Sequence, residues 1–194
     1  MSATRIREAA IELFANQGYE KTTLSDIARR VGIKTPSIYA HYASKEDLFL
    51  AVTEEVINNN VYIMRDQYGK ETDADPEKQI MHYFHRVTNT FRHDHYHLFY
   101  KRFIFFPPDA LKEKLLQPFL QGEKEMTESL IRLYKAGVDA GQFRSMETDC
   151  FIAAFYCAVD GLFMQYQLYE AEEYDQRKAR VWDFFSAGLR SNKE

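Results

Sequence analysis

Apolar residues recur along this chain at three- and four-residue spacings from end to end and nowhere alternate between hairpin turns, the pattern of an all-α protein. Ile6, Ala9, Ala10, Leu13 and Phe14 share one face, and Gly18 stands where a left-handed cap belongs. Together they predict a first helix from about Thr4 to Asn16. Thr23-Leu24-Ser25-Asp26 is a capping-box variant with aspartate in place of glutamate; it opens a short second helix that Gly32 closes. Thr35 as N-cap and Pro36 at the first helical position predict a third. Ser44 and Asp47 open a fourth, with Leu48, Phe49, Val52 and Val56 inward.

Further along, Asp75-Pro76 starts a fifth helix carrying Ile80, Phe84, Val87 and Phe91 on one stripe, and a sixth from about Tyr96 must stop before Pro107-Pro108. A long seventh is expected from Asp109 to about Ala140, kinked near Pro118 and ended by Gly141. Two more, near 147–170 and 175–190, bring the total to about nine.

Composition narrows the class. The 194 residues are 45% hydrophobic and 15% aromatic with only 8 Gly and 5 Pro, so a packed core is expected and low-complexity disorder is not. The longest apolar run, Cys150 to Val159, is far shorter than the roughly 18 residues of a membrane span. Glu8 and Glu12 fall where a signal peptide would be apolar, so a cytoplasmic protein with no membrane partner is expected. Cys150 and Cys157, two helical turns and about 10 Å apart, are beyond disulfide reach. They read as small core residues. Net charge is −4 for the chain but +1 over residues 1–50, the sign that suits a nucleic-acid-facing head on an acidic body.

Thr23 to Arg30 and Thr35 to Tyr42, joined by a tight glycine turn, have the dimensions of a helix-turn-helix whose second helix can enter a major groove. Lys34, Thr35 and Ser37 cluster at the start of that second helix, where hydroxyls and an ammonium can reach base edges. Tyr39 and His41 further along, and Lys45 at the next helix start, suit phosphate or sugar contacts. Ile27, Ala28, Val31 and Ile38 supply the apolar core between the two helices.

The segment Gly18-Tyr19-Glu20-Lys21-Thr22-Thr23-Leu24-Ser25-Asp26-Ile27-Ala28-Arg29-Arg30-Val31-Gly32, continued by Ser37-Ile38-Tyr39-Ala40-His41-Tyr42-Ala43-Ser44-Lys45-Glu46-Asp47-Leu48, resembles the N-terminal signature of the tetracycline-repressor (TetR) family. The resemblance covers about the first 50 residues. It implies a homodimeric transcriptional regulator, usually a repressor, with residues 1–46 as DNA-binding head and 47–194 as a helical ligand-binding and dimerising body. It further implies that Thr23 contacts phosphate, that Lys34, Thr35, Pro36, Ser37 and Tyr39 meet DNA, and that His41 and Lys45 clamp the backbone. The chain departs from the family pattern where Lys34-Thr35 replaces the frequent Ser-Lys, Pro36 replaces glycine, and Ala40-His41-Tyr42 replaces a more aromatic trio. Pro36 has no amide hydrogen to offer a phosphate.

Twenty-four of the 29 aromatic residues lie beyond residue 50. Tyr83, Phe84, Phe91, Phe99, Phe103, Tyr134, Tyr156 and Phe163 sit on expected inward faces, where either ordinary packing or an apolar ligand cavity accounts for them. Asp160 interrupts an apolar helix and needs a partner: a ligand cation, a dimer hydrogen bond or a helix-packing salt bridge. Ala153, Ala154, Ala158 and Gly161, with Val181, Trp182, Phe185 and Leu189 of the last helix, resemble the family's four-helix dimer arrangement. The histidines between His82 and His97 read as polar surface rather than a metal site, and no cofactor is expected.

The partners expected are therefore a palindromic double-stranded DNA operator, a second copy joined through the last two helices, and a small apolar or amphipathic effector that releases the operator. The body's net −5 leans toward cationic lipophiles, while its aromatic lining suits acyl chains or flavonoid-like molecules. Movement near Val61 to Met64, at the far end of the fourth helix, would swing the head. An all-α enzyme is the rival class, and the chain offers it no phosphate loop, nucleophile elbow or paired carboxylates of known spacing. A dimeric ligand-binding protein that ignores DNA is the other.

Overall fold

The computed structural model describes residues 3–68, 75–89 and 94–191. The chain is all-α, and among the described residues nine α-helices follow one another: α1 (Ala3–Gln17), α2 (Leu24–Val31), α3 (Pro36–Tyr39), α4 (Lys45–Tyr68), α5 (Pro76–Asn89), α6 (His95–Phe105), α7 (Lys112–Asp139), α8 (Thr148–Gln165) and α9 (Ala171–Leu189). A 3-10 turn, Asp109–Leu111, precedes α7. Pro118 lies inside α7, and Gly32 and Gly141 end α2 and α7. No described helix is long and apolar enough to cross a membrane.

Several helix starts follow the local chemistry read from the sequence. Thr23 Oγ1 accepts from Asp26 N at 3.1 Å while the Asp26 carboxylate accepts from Thr23 N at 3.1 Å, a reciprocal capping box. Removing the cap as Thr23→Ala is expected to cost about 1 kcal/mol and lower the melting temperature by about 2–4 °C, read by thermal circular dichroism, with Thr23→Ser retaining stability. Ser44 Oγ accepts from Asp47 N at 3.0 Å and Asp47 in turn accepts from Ala43 N at 2.9 Å. Asp75 accepts from Glu77 N at 2.9 Å ahead of Pro76–Asn89.

Three expectations need correction. Thr35 does not cap α3: its backbone is already helical at φ −51° and ψ −40°, and its hydroxyl makes no cap bond. The turn instead closes through Ser37 N to Lys34 O at 2.9 Å and Ile38 N to Thr35 O at 3.0 Å. Cys150 and Cys157 are exposed rather than core. The apolar run containing them is helical, so only Phe151, Phe155 and Val159 turn inward, and Cys150, Ala153, Ala154 and Cys157 face out. Finally α8 ends at Gln165 and α9 begins at Ala171; residues 166–175 hold no Gly, Pro, Ser or Thr from which the sequence could place that boundary.

The chain divides into two compact units, Met1–Asn60 with Asp94–Gly122, and Val61–His93 with Glu123–Glu194. In the first, α6 completes the core of the N-terminal helices. Phe14 meets Phe49 edge-on at 5.0 Å between ring centroids, Phe49 meets Phe103 at 4.8 Å, and Phe99 lies 4.7 Å from Phe103. Arg7, donating to Glu55 and to the Tyr42 hydroxyl at 3.2 Å, and Tyr96, donating to Glu55 at 2.9 Å, tie α1, α4 and α6 by a polar strap. Desolvation and the Glu55 carboxylate push the Tyr96 phenol up to about 12, so it stays a donor at any physiological pH.

The second unit packs α5, α8 and α9 around Phe84, which lies 5.2 Å from Trp182 and 6.2 Å from Phe155. Tyr134 stacks on Phe151 at 4.7 Å. Its hydroxyl accepts from Met146 N at 2.8 Å and lies 3.0 and 3.2 Å from the Arg144 and Met146 carbonyl oxygens, so it satisfies the backbone that reverses between α7 and α8.

Candidate functional site

The two short helices expected to form a helix-turn-helix are present and packed as their apolar positions require. Ile27 and Ile38 are wholly buried, with Ala28 and Val31 beside them, and Leu24 closes the same core. The outward face of α3 is then left to Lys34, Pro36 and Ser37, all exposed, and Tyr39, 57% exposed despite its size. A large aromatic held out in water beside a lysine and a serine is the composition of a nucleic-acid contact rather than of a core. His41 is exposed at the end of this turn, and Thr35 is half-buried with its hydroxyl outside any cap.

Two of the eight expected contact residues are already engaged within the chain. Thr23 Oγ1 donates to Asp26 at 2.6 Å while accepting from Asp26 N, so its hydroxyl proton is committed to the cap. Those hydrogen bonds hold the Asp26 carboxyl below the usual carboxylate range. Lys45 Nζ donates to the Tyr19 carbonyl at 2.9 Å and stands 4.1 Å from the Tyr19 ring centroid. Arg29 and Arg30, also on the head, pair with Asp26 and, through both Arg30 nitrogens, with Glu12 at 2.7 to 3.1 Å. Tyr19 was not singled out from the sequence. The available signal was an aromatic directly after a positive-φ glycine, which ties its ring to whatever α4 presents.

The nine residues expected at an effector cavity are distributed over both units. Phe99 and Phe103 lie in the aromatic core of the first. Tyr83 stacks on Phe155 at 5.7 Å, Phe84 meets Trp182, Tyr134 anchors the α7–α8 reversal, and Phe163 stacks on Tyr166 at 5.4 Å, all in the second. Tyr156 pairs with the Thr127 hydroxyl at 3.1 Å, and burial pushes its phenol up to about 12. Asp160 is half-buried on α8, and Phe91 lies outside the described residues.

Among the described residues no three His, Cys, Asp or Glu side chains come together as a metal ion would require. His97 is instead buried against Asp94, Nδ1 to Oδ2 2.7 Å, where Asp94 caps α6; the imidazole holds the carboxyl below its ordinary range against the opposing effect of burial.

The outer surface of α8 and α9 forms an open groove of about 590 Å³, lined by Ala154, Cys157, Ala158, Val181, Phe184 and Phe185, with Arg144 and Arg180 at its rim. Met164, Leu168 and Phe184 are exposed along these helices and the turn after α8. A helix apolar on both its inner and outer faces needs a second burial partner.

Residues 6–52 match the family profile of bacterial regulatory proteins, tetR family. The chain is 43% identical over 54 residues to IcaR of Staphylococcus epidermidis, the negative transcriptional regulator of a biofilm operon, covering 28% of this chain and 29% of that protein. It is 37% identical over 65 residues to the transcriptional activator FasR of Mycolicibacterium smegmatis, 34% of this chain and 30% of that one. The matched region thus spans under a third of either curated relative's length. At the level of fold the likeness covers nearly the whole chain: Bacillus subtilis FadR, solved in complex with stearoyl-CoA, superposes with a TM-score of 0.74 over 97% of this chain and all of that one, at 17% identity.

Proposed function

This chain belongs, through its N-terminal residues, to the TetR family of bacterial regulatory proteins, and on that premise we propose that it is a cytoplasmic DNA-binding transcriptional repressor, released from its operator by a small apolar or amphipathic effector. The observation that carries the reading is the outward face of α3: Lys34, Ser37 and a 57%-exposed Tyr39 held out by a buried Ile38 on a capped α2. Residues 1–46 are the DNA-binding head, in which Lys34, Thr35, Ser37 and Tyr39 meet the major groove. Pro36 sets the approach of the turn, His41 lies at the phosphates, Lys45 clamps the backbone, and Thr23, its hydroxyl kept on Asp26, serves the cap of α2 rather than a phosphate.

Residues 47–194 take the effector and dimerise. The apolar α8–α9 groove supports a second copy as its occupant, because a two-fold interface needs one self-complementary patch and this patch carries small residues for close approach with large exposed ones to fill them. The dimer would present two copies of α3 to half-sites one turn apart, about 34–36 Å, on a palindrome. An effector site lined by Tyr83, Phe84, Tyr134, Tyr156, Asp160 and Phe163 of the second unit accords with the stearoyl-CoA bound by Bacillus subtilis FadR. Effector binding acts on the head through α4, the helix to which both compact units contribute residues.

The test is a titration of a bound duplex at several salt concentrations. The logarithm of affinity is expected to fall steeply with the logarithm of salt, and Lys34→Met to weaken binding about tenfold and alter base preference or shallow the slope by about one. Binding unmoved by Lys34→Met and by salt contradicts the reading.

A further inference from the structure

The geometry points to Tyr19 as the residue that aims Lys45 at the DNA backbone, so that a side chain outside the recognition helix sets part of the operator affinity. This rests on the DNA-binding reading above and adds a positioning residue to it.

Lys45 opens α4 and is half-buried, not free in solvent. One residue holds it twice: the Tyr19 carbonyl accepts from Nζ at 2.9 Å, and the Tyr19 ring lies 4.1 Å from the same nitrogen, within cation–π range. An ammonium has three N–H groups. With one on the carbonyl and one over the ring, the third is left for an outside oxygen. A lysine loses much rotamer freedom when it docks on a phosphate; a lysine already held in place has less to lose.

Tyr19 is itself fixed from three sides. Gly18, at φ +85°, turns the chain out of α1 in a conformation that side chains with a Cβ rarely adopt. The Tyr19 ring packs on Phe14 at 5.9 Å and edge-on to Phe49 at 4.8 Å. Arg102 of α6 clasps the same turn: Nη1 donates to Ala15 O at 2.8 Å and Asn16 O at 3.2 Å, and its guanidinium passes 3.1 Å from where a Cβ on Gly18 would stand. Of the two carboxylates that act on Tyr19, Glu46 is paired with Lys114, and Glu20 stands beside the tyrosine. Orientation favours an anion at Lys45.

The experiment uses the full chain and the duplex the wild type selects, with binding measured at several salt concentrations and folding checked by circular dichroism. Lys45→Met is expected to lower affinity about tenfold and shallow the salt slope by about one. Tyr19→Phe, which keeps ring and carbonyl, is expected to bind like the wild type. Tyr19→Leu is expected to lose about three- to fivefold, and Tyr19→Met, a flexible filler should leucine impair folding, the same. The double variant Tyr19→Leu/Lys45→Met should be no weaker than Lys45→Met alone, since both remove one contact. A Tyr19 loss that adds in full to that of Lys45→Met would mean a structural role only and overturn the inference, as would an unchanged affinity for Lys45→Met. A wild type that selects no duplex overturns the DNA-binding reading itself and this inference with it.

Discussion

Phe184→Glu is expected to leave the subunit folded and abolish its self-association. Phe184 is 86% exposed on α9 and contributes almost nothing to its own subunit's core, so its replacement should move stability by less than about 0.5 kcal/mol. In a two-fold interface the same residue occurs twice, and buried aromatic anchors are worth at least about 2 kcal/mol each. Losing two of them raises the dimer dissociation constant about a thousandfold, before counting the cost of burying two carboxylates. Sedimentation should therefore show a dimer for the wild type and a monomer for the variant at micromolar concentration. Operator affinity should fall in parallel, because a lone head reads half a site. A variant that still sediments as a dimer places the interface elsewhere.

Gly137→Ala is the second large effect, and its sign is opposite to that of an ordinary helix substitution. Alanine inside a helix normally gains about 1 kcal/mol over glycine. Here a Cβ would stand 2.0 Å from Cδ2 and 2.1 Å from Cε2 of Phe143, which folds back over α7 after the turn at Gly141. Phe143 cannot easily yield: it is buried, stacks parallel to Tyr134, and has its amide bonded to Gly137 O at 3.1 Å. Overpacking of this kind is expected to cost about 3 kcal/mol and to lower the melting temperature by about 6–12 °C. Adding Phe143→Leu should recover part of the loss, since the smaller side chain vacates the space. A variant that melts at or above the wild type contradicts the close approach.

What could be read from the sequence was whatever neighbouring residues decide among themselves. The capping box at Thr23 and Asp26 and the Ser44–Asp47 cap involve residues three apart, so their chemistry is written in a short string. Burial of Ile27, Ala28, Val31 and Ile38 follows from periodicity in the same way. Thr35 failed as a cap because its own backbone is helical, against the extended bias that a following proline imposes, and the turn that makes it so is closed by Ser37 N to Lys34 O and Ile38 N to Thr35 O, which residue type alone does not reveal.

Partners were the harder part. Periodicity says that Phe99 and Phe103 face inward, but not that they face Phe14 and Phe49. Arg102 reaches the α1 carbonyls across 87 positions of sequence, and Lys45 reaches Tyr19 across 26, separations at which no local signal survives. The two cysteines illustrate the opposite error. They read as small core residues, whereas a ten-residue apolar run within a helix shows part of itself to the outside. That outward part, left uncovered within the subunit, is where the proposed second copy would dock.

The most direct measurement of the central claim is selection of bound duplexes from a random library by the full chain. The account predicts enrichment of a palindrome with half-sites about one helical turn apart, bound by two subunits, and lost in Phe184→Glu. Sequence-blind binding with no enriched site, or an enriched single half-site bound by one subunit, would contradict it.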